Sequence, residues 1–162
     1  MKSFHTDVLP LKDKLFRLAM RITFDREEAE DITQETLIKV WQNKDSWDEI
    51  DNMEAYCLTI CRRLSIDSVR RKGVQAEREQ DIVHLQSTLV SNHTPEEILD
   101  QKQRVALVHQ IIDQLPETQR TVIQLRDIEG LSYDEISQIT ALSPSQVKVY
   151  LHRARTKIRE SL

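Results

Sequence analysis

The sequence predicts an all-helical protein, and three observations carry that prediction. Only 2 of the 162 residues are glycine and 4 are proline, so the glycine-rich turns that β-hairpins favour are mostly unavailable. Glu, Gln, Lys, Arg and Leu dominate, and all of them favour helix. Finally, five residue pairs have the spacing of a capping box, which marks a helix start: Asp25/Glu28, Asp51/Glu54, Thr94/Glu97, Ser132/Glu135 and Ser143/Gln146.

These starts and the apolar periodicity predict helices over residues 5–23, 26–46, 52–71, 95–114, 117–128, 133–140 and 144–160. Pro95 and Pro144 each follow an expected N-cap, at the position where a missing N–H costs nothing. The polar stretch 73–93 has few aromatic residues and reads as a linker. We therefore expect two small helical domains, 1–72 and 94–162, joined by a flexible linker at 73–93.

The charge is strongly segregated, although the net charge is only −4. Residues 25–54 hold eleven acids and three bases, a net charge of −8. Residues 62–72 carry a net charge of +4, and residues 148–159 hold five bases and no acid. One acidic and two basic surfaces indicate at least two kinds of partner.

Several classes of protein are disfavoured. No apolar run approaches the roughly 20 residues that span a bilayer, and the N-terminus lacks a signal peptide's apolar stretch, so we expect a cytoplasmic protein. Cys57 and Cys61 would share one helix face and read as buried small hydrophobes, not as a disulfide or zinc site. No catalytic triad, phosphate-binding glycine loop or metal-ligand cluster is visible. We expect a binding protein without a cofactor, not an enzyme.

The C-terminal segment has helix-turn-helix spacing. A short helix capped by Ser132 is followed by a tight turn and by a second helix capped by Ser143. Apolar residues of the second helix recur on one face, and its other side is basic with a short polar beginning, which suits entry into the major groove. An amphipathic terminal helix with a merely solvated basic face is the alternative. The candidate DNA contacts are Ser145, Gln146, Lys148, Val149, His152, Arg153 and Arg155.

An acidic helix dominates the N-terminal half, with the sequence DITQETLIKVW at residues 31–41. Helical periodicity turns Ala29, Ile32, Thr36, Leu37 and Val40 inward. Asp31, Gln34 and Glu35 then face outward, with Ile38 among them. An isoleucine in an acidic outward face indicates a protein-binding surface, whereas the alternative is a single stray exposed apolar residue.

The next helix carries a stripe of an aromatic residue and bases. Tyr56, Thr59, Arg63, Asp67 and Arg70 share this stripe, and Arg62 lies close by. An aromatic ring among arginines can stack on unpaired bases while the arginines hold the backbone. Trp47, in the preceding loop, can act in the same way, although both aromatic residues can equally be core residues.

The acidic helix and the stripe resemble region two of the extracytoplasmic-function group of the sigma-70 family. The D-x-x-Q-E pattern of that region, ending in an aromatic residue, matches Asp31, Gln34, Glu35 and Trp41. The resemblance implies that this surface, with Ile38, binds the clamp helices of the largest subunit of RNA polymerase. It also implies that the following helix opens and reads the −10 element, and the residues that match this segment include Tyr56, Ile60, Arg63, Asp67, Arg70 and Arg71. Together with the stripe and Trp47, the candidate contacts to the −10 strand are Trp47, Tyr56, Thr59, Arg62, Arg63, Arg70 and Arg71.

The C-terminal half resembles region four of the same family. Its pattern is matched by Leu115-Pro116, Gly130 with Ser132, Glu135-Ile136, Val147-Lys148 and the run Leu151 to Arg155. This match implies that the last helix reads the −35 element in duplex DNA. The chain departs from the family pattern at three places. Arg63 stands where the family often has Asn, and Ser145-Gln146 replace a frequent Gly-Thr. Tyr150 stands where a basic residue is common. These departures bear on promoter choice.

The sequence therefore predicts a sigma factor that binds core RNA polymerase and promoter DNA, with an anti-sigma factor as a further partner implied by the resemblance. An autonomous helix-turn-helix regulator that binds operators as a dimer is the first alternative. A helical adaptor that binds only protein is the second.

Overall fold

The computed structural model describes residues 1–79 and 101–162. For residues 74–79 it describes the backbone alone. Within these ranges every regular element is helical, as predicted. The predicted Thr94/Glu97 capping box, linker residues 80–93 and helix residues 95–100 lie outside them. No helix in the described part of the chain is both long and apolar enough to cross a bilayer.

The first domain is a bundle of three helices: α1 (Lys12–Thr23), α2 (Arg26–Gln42) and α3 (Met53–Glu79). The predicted helix 5–23 is not one α-helix, because a π-helical turn, Phe4–Val8, and a 3-10 turn, Leu9–Leu11, precede α1. Proline has no N–H and its ring clashes inside a helix, so α1 begins after Pro10. Likewise α2 ends at Gln42, not 46, and a 3-10 segment, Lys44–Glu49, follows.

The bounds of α3 differ from prediction at both ends. Its cap is Asn52 and not Asp51, because the Asn52 side-chain oxygen accepts the Ala55 N–H at 2.9 Å. The helix continues to Glu79, so residues 73–79 of the predicted linker are helical. Gly73 costs only about 1 kcal/mol within a helix, and the glutamine, alanine, glutamate and arginine residues after it are good helix formers.

The second domain contains α4 (Gln101–Asp113), α5 (Glu117–Ile123), α6 (Tyr133–Thr140) and α7 (Pro144–Ser161). The predicted helix 117–128 is divided, because a π-helical turn, Gln124–Ile128, follows α5. The two capping boxes predicted for α6 and α7 are both fully formed. The largest fully buried apolar side chains of this domain are Val122, Leu125, Ile136, Val147 and Leu151.

The two domains pack against each other, with α3 against α6 and α1 against α5. Their buried apolar residues form one continuous cluster. Polar contacts between the domains surround this cluster. Arg17 forms a bidentate pair with Glu129 at 2.7 and 2.8 Å, and Arg21 donates to Asp113 and to Gln124, each at 2.8 Å. Arg62 donates to Glu117 at 3.1 Å, and Asn52 donates to Glu135 at 2.8 Å.

Candidate polymerase- and DNA-binding surfaces

The outward face of α2 is acidic with an apolar centre. Its inward side is buried through Ala29, Ile32 and Val40, together with two threonines whose hydroxyls donate to carbonyls one turn earlier. Opposite them, Ile38 is 55% exposed and Trp41 is 48% exposed. The five predicted residues Asp31, Gln34, Glu35, Ile38 and Trp41 are all exposed along this helix.

Trp41 belongs to an aromatic group that the sequence did not reveal. Its ring meets Phe4 edge-on at 5.6 Å and Trp47 at 6.3 Å, and the Lys44 ammonium lies 4.4 Å from its centroid. Phe4, Leu37, Ile38 and Trp41 line a shallow apolar groove. The sequence did not predict Phe4 as part of this surface, because an apolar residue near the N-terminus carries no pattern that points to α2.

Trp47 lies in the core and not on the surface. It is 6% exposed, and its indole N–H donates to the Val40 carbonyl at 2.9 Å. The ring therefore has no face free for an unpaired base. This placement supports the core alternative and removes Trp47 from the predicted DNA contacts.

The stripe on α3 is only partly available. Arg63, Arg70 and Arg71 are exposed, although Arg70 also pairs with Asp67 at 2.8 Å. Tyr56 is half-buried and its hydroxyl accepts a hydrogen bond from the Asn43 amide at 2.6 Å. The half-buried Thr59 hydroxyl donates to the Ala55 carbonyl at 2.7 Å.

Arg62 points away from the rest of the stripe. Its guanidinium donates to the Glu117 carboxylate of the second domain at 3.1 Å, and its side chain is only 19% exposed. The predicted contact between Arg62 and DNA is therefore blocked while the domains are packed together.

The turn between α6 and α7 is short. Ala141 ends α6 with a left-handed φ of 63°, a backbone region that costs a residue other than glycine roughly 1–2 kcal/mol. The Ser137 hydroxyl donates to the Leu142 carbonyl across this turn. Ser143 then caps α7, its hydroxyl accepting the Gln146 N–H at 3.1 Å. These bonds fix the direction in which α7 leaves the turn.

The exposed side of α7 carries most of the predicted DNA contacts. Val147, Leu151 and Ala154 are buried, whereas Val149 is 47% exposed. Gln146 is engaged by the cap, because its side-chain oxygen accepts the Ser143 N–H at 2.9 Å. The other exposed residues on this side are Ser145, Lys148, His152, Arg153 and Arg155.

Three cationic residues of this surface have partners that the sequence did not indicate. Arg155 is held bidentately by Asp127 at 3.0 and 2.6 Å, which raises the pKa of Arg155. The Arg153 guanidinium lies 5.6 Å from the Tyr150 ring, and the Lys148 ammonium lies 5.5 Å from the Tyr133 ring. Tyr150, which stands where the family commonly has a basic residue, thus lies against the neighbouring Arg153.

Comparison with known proteins agrees with the two-domain arrangement. The family model described as "Sigma-70 region 2" matches residues 8–74, and the one described as "Sigma-70, region 4" matches residues 99–158. ECF RNA polymerase sigma factor SigW of Bacillus subtilis is 32% identical over 157 residues, covering 93% of this chain and 84% of that protein. SigE of Mycolicibacterium smegmatis is 31% identical and covers 93% of this chain, which spans 58% of that longer relative.

Solved structures show the same fold. Sigma factor RpoE of Bartonella quintana, in complex with the anti-sigma factor NepR, superposes with a TM-score of 0.78 at 26% identity, covering 99% of this chain and 96% of that one. CnrH, in complex with the cytosolic domain of CnrY, shares the fold with a TM-score of 0.66 at 21% identity, covering 97% of this chain and 85% of that one. Both sigma regions are present in the predicted order, and the chain belongs to the extracytoplasmic-function group of the sigma-70 family of RNA polymerase sigma factors.

Proposed function

We propose that the exposed surfaces of this sigma factor divide its work between polymerase and promoter DNA. The face of α2 binds core RNA polymerase, the stripe on α3 binds the opened −10 strand, and α7 binds the −35 duplex. The chain then acts by binding and not by catalysis, and it acts in the cytoplasm, where polymerase is. The observation that carries this proposal is Ile38, 55% exposed at the centre of an acidic helix face.

The α2 face has the make-up of a protein-binding surface. Ile38 and Trp41 supply apolar area at its centre, and Asp31, Gln34 and Glu35 supply a polar rim. Interfaces commonly combine a desolvated aromatic or aliphatic centre with a charged rim that sets orientation and association rate. A basic helical partner on polymerase suits the charge of this face.

The α3 stripe suits a single strand better than a duplex. Tyr56 is half-buried at its start, and Arg63, Arg70 and Arg71 follow on the exposed side. A ring stacks on an unpaired base while arginines hold the phosphates. Arg62 joins this set only when its contact with Glu117 is broken.

The exposed side of α7 suits duplex DNA. Ser145 and Val149 stand near the beginning of the helix, where short side chains allow close approach to base edges in the major groove. Lys148 and Arg153 flank them and supply contacts to phosphates, which set position more than sequence.

Control by a second protein is part of this proposal. The RpoE structure that superposes on this chain was solved with an anti-sigma factor. The apolar groove beside Ile38 offers such a protein the same surface that polymerase needs. We expect an anti-sigma factor to compete with polymerase for α2.

Transcription from a random promoter library tests the proposal. The purified chain is mixed with core polymerase lacking any sigma factor, and transcribed DNA is selected and sequenced. We expect discrete start sites preceded by two shared upstream elements. Failure to bind core polymerase or to support initiation would contradict the proposal and favour an autonomous operator-binding protein.

Variants of α2 make the test specific. Asp31→Ala/Glu35→Ala and, separately, Ile38→Ala are expected to lose polymerase binding and initiation. Asp48→Ala/Glu49→Ala is the matched control, because it removes the same charge from exposed positions in the 3-10 segment. Equal losses in the control and the α2 variants would show that bulk charge, not this face, binds polymerase.

A further inference from the structure

Tyr133 lies where α6, α7 and the Gln124–Ile128 turn meet. It is the first residue of α6, and its half-buried ring packs against the core. The Lys148 ammonium of α7 lies 5.5 Å from the ring centroid, and the guanidinium carbon of Arg126, in the Gln124–Ile128 turn, lies 4.7 Å from it. Both distances are within the range of a cation–π contact.

We propose that Tyr133 is a positioning residue for promoter binding, whose ring holds Lys148 in place to contact a DNA phosphate. The proposal rests on the proposed role of α7 in binding the −35 duplex. It adds a residue outside the recognition helix to that role.

An aromatic ring suits this task better than a carboxylate. Asp127 holds Arg155 with two hydrogen bonds and so neutralises much of its charge. Within the described residues no acid lies within ion-pair distance of Lys148 or Arg126. A π face attracts the ammonium yet leaves its charge uncompensated, so Lys148 remains available to a phosphate.

The ring has a second advantage, because it restricts the long and flexible side chain of Lys148 before DNA binds. Ordering it on binding costs conformational entropy, and a partner that restricts it beforehand reduces that cost. Lys148 stands one turn into α7, beside the exposed Val149. The ring therefore fixes a cation next to the end of the helix that enters the groove.

Arg126 strengthens the attraction for an anion. Its guanidinium donates to the Leu131 carbonyl at 2.8 Å, which fixes its orientation. A second positive charge thus lies beside the same uncharged ring, and it adds to the attraction for an anion near Lys148. A backbone phosphate is the anion that a promoter presents at this surface.

The first test measures the contact itself, without DNA. Lysine side chains are labelled with 13C, and the Lys148 signal is assigned by its loss in Lys148→Gln. We expect its ε-methylene protons to be shifted upfield by the ring in the wild type and in Tyr133→Phe. The shift should vanish in Tyr133→Leu, which keeps the apolar packing without a ring. The same Lys148 shift in Tyr133→Leu as in the wild type would overturn the proposal.

The second test measures affinity, using the chain bound to core polymerase and a promoter recovered from the library. Tyr133→Leu should weaken binding about two- to five-fold, as expected for loss of one exposed cation–π contact, while Tyr133→Phe should match the wild type. In a Lys148→Gln background Tyr133→Leu should have no further effect. A purely structural role would instead give the same loss in both backgrounds. Tyr133→Met replaces Tyr133→Leu if thermal melting shows that the leucine variant is unfolded.

The outcomes separate this proposal from the role of α7. If Lys148→Gln binds the promoter as well as the wild type, the proposed role of Lys148 in the −35 surface fails. If Lys148→Gln weakens binding and Tyr133→Leu does not, that role stands and the positioning role of Tyr133 is overturned.

Discussion

Arg62 of α3 donates to the carboxylate of Glu117 in the second domain at 3.1 Å, and so couples the proposed −10 surface to domain packing. The polar contacts around the apolar cluster between the domains are incompletely satisfied. Among the described residues, the buried side-chain nitrogens without a hydrogen-bond partner are Nε of Arg62 and Nε of Arg120. Arg120 also bridges the domains, with its guanidinium 4.8 Å from the Phe24 ring. Buried unpaired donors cost free energy, and polar contacts of this kind are typical of domains that move apart.

Raising the salt concentration should therefore open the two domains. Partly exposed ion pairs weaken as salt screens them, and Glu117→Gln should shift the opening to lower salt. Energy transfer between dyes on cysteines introduced at the exposed positions Asp48 and Glu160 measures the separation. Burial raises the pKa of Cys57 and of Cys61 to about 12, so the native thiols should not take up dye.

A pair within one domain provides the control. Asp67→Asn removes an acid that pairs with Arg70 on α3 itself, at 2.8 Å. At every salt concentration this variant should give the same energy transfer as the wild type. Energy transfer that is independent of both salt and Glu117→Gln would show that the apolar contacts alone hold the domains together.

Acid should also open the domains, through His109 of α4. Its ring nitrogen Nδ1 faces the Arg21 guanidinium of α1 at 2.8 Å. Partial burial, and then the Arg21 charge, lower the pKa of His109 below its ordinary value of 6.5, against an opposing effect of Asp113. Because packing favours the neutral ring, its contribution is present above about pH 6.5 and is lost as the pH falls below that value.

Energy transfer measured from pH 8 to pH 5.5 at constant salt tests this dependence. We expect transfer to fall as the pH drops below about 6.5, and His109→Gln to flatten the curve across that range. A curve in His109→Gln with the same midpoint as in the wild type would assign the transition to another group.

Much of the fold was predictable because local signals and apolar periodicity agree. Ser132 and Ser143 cap α6 and α7 as predicted, and Ile38 is exposed as predicted. The misplaced boundaries came from residues that permit two outcomes. Asp51 and Asn52 are adjacent capable caps, and one glycine at 73 does not end a helix that good helix formers continue.

Tertiary contacts were the part that the sequence left open. Trp47 reads equally as a core residue or a base-stacking residue, and only the packing of the 3-10 segment against α2 decides between them. The pairs Arg62–Glu117 and Arg155–Asp127 join residues 55 and 28 positions apart. No periodicity within one helix reports such a pair, so the two arginines looked equally free.

Removing the cap of α7 should destabilise the protein, although Ser143 is not itself a predicted DNA contact. Ser143→Ala loses the acceptor for the Gln146 N–H, at a cost of about 1 kcal/mol in the free energy of unfolding. Ser145→Ala, two residues later at an exposed position, should change that free energy by less than about 0.5 kcal/mol. Urea denaturation followed by circular dichroism compares them, and equal losses would contradict the capping role of Ser143.

Substitution of Trp47 should reduce stability, whereas substitution of Trp41 should reduce polymerase binding. Trp47→Ala empties a core position and should lower the free energy of unfolding by about 3–5 kcal/mol. Trp47→Phe keeps most of the ring but loses the hydrogen bond to Val40, at about 1–2 kcal/mol.

Trp41→Ala is the matched comparison, because this ring is 48% exposed. We expect a loss of unfolding free energy of about 1 kcal/mol, since burial of apolar area sets the loss, together with weaker binding to core polymerase. Urea denaturation gives the first quantity and a pull-down with core polymerase gives the second. A Trp47→Ala variant that kept full stability but failed to open promoter DNA at 25 °C would contradict the core role of Trp47. The ring would then have to leave the core to contact the strand, because no face of it is free in the packed domain.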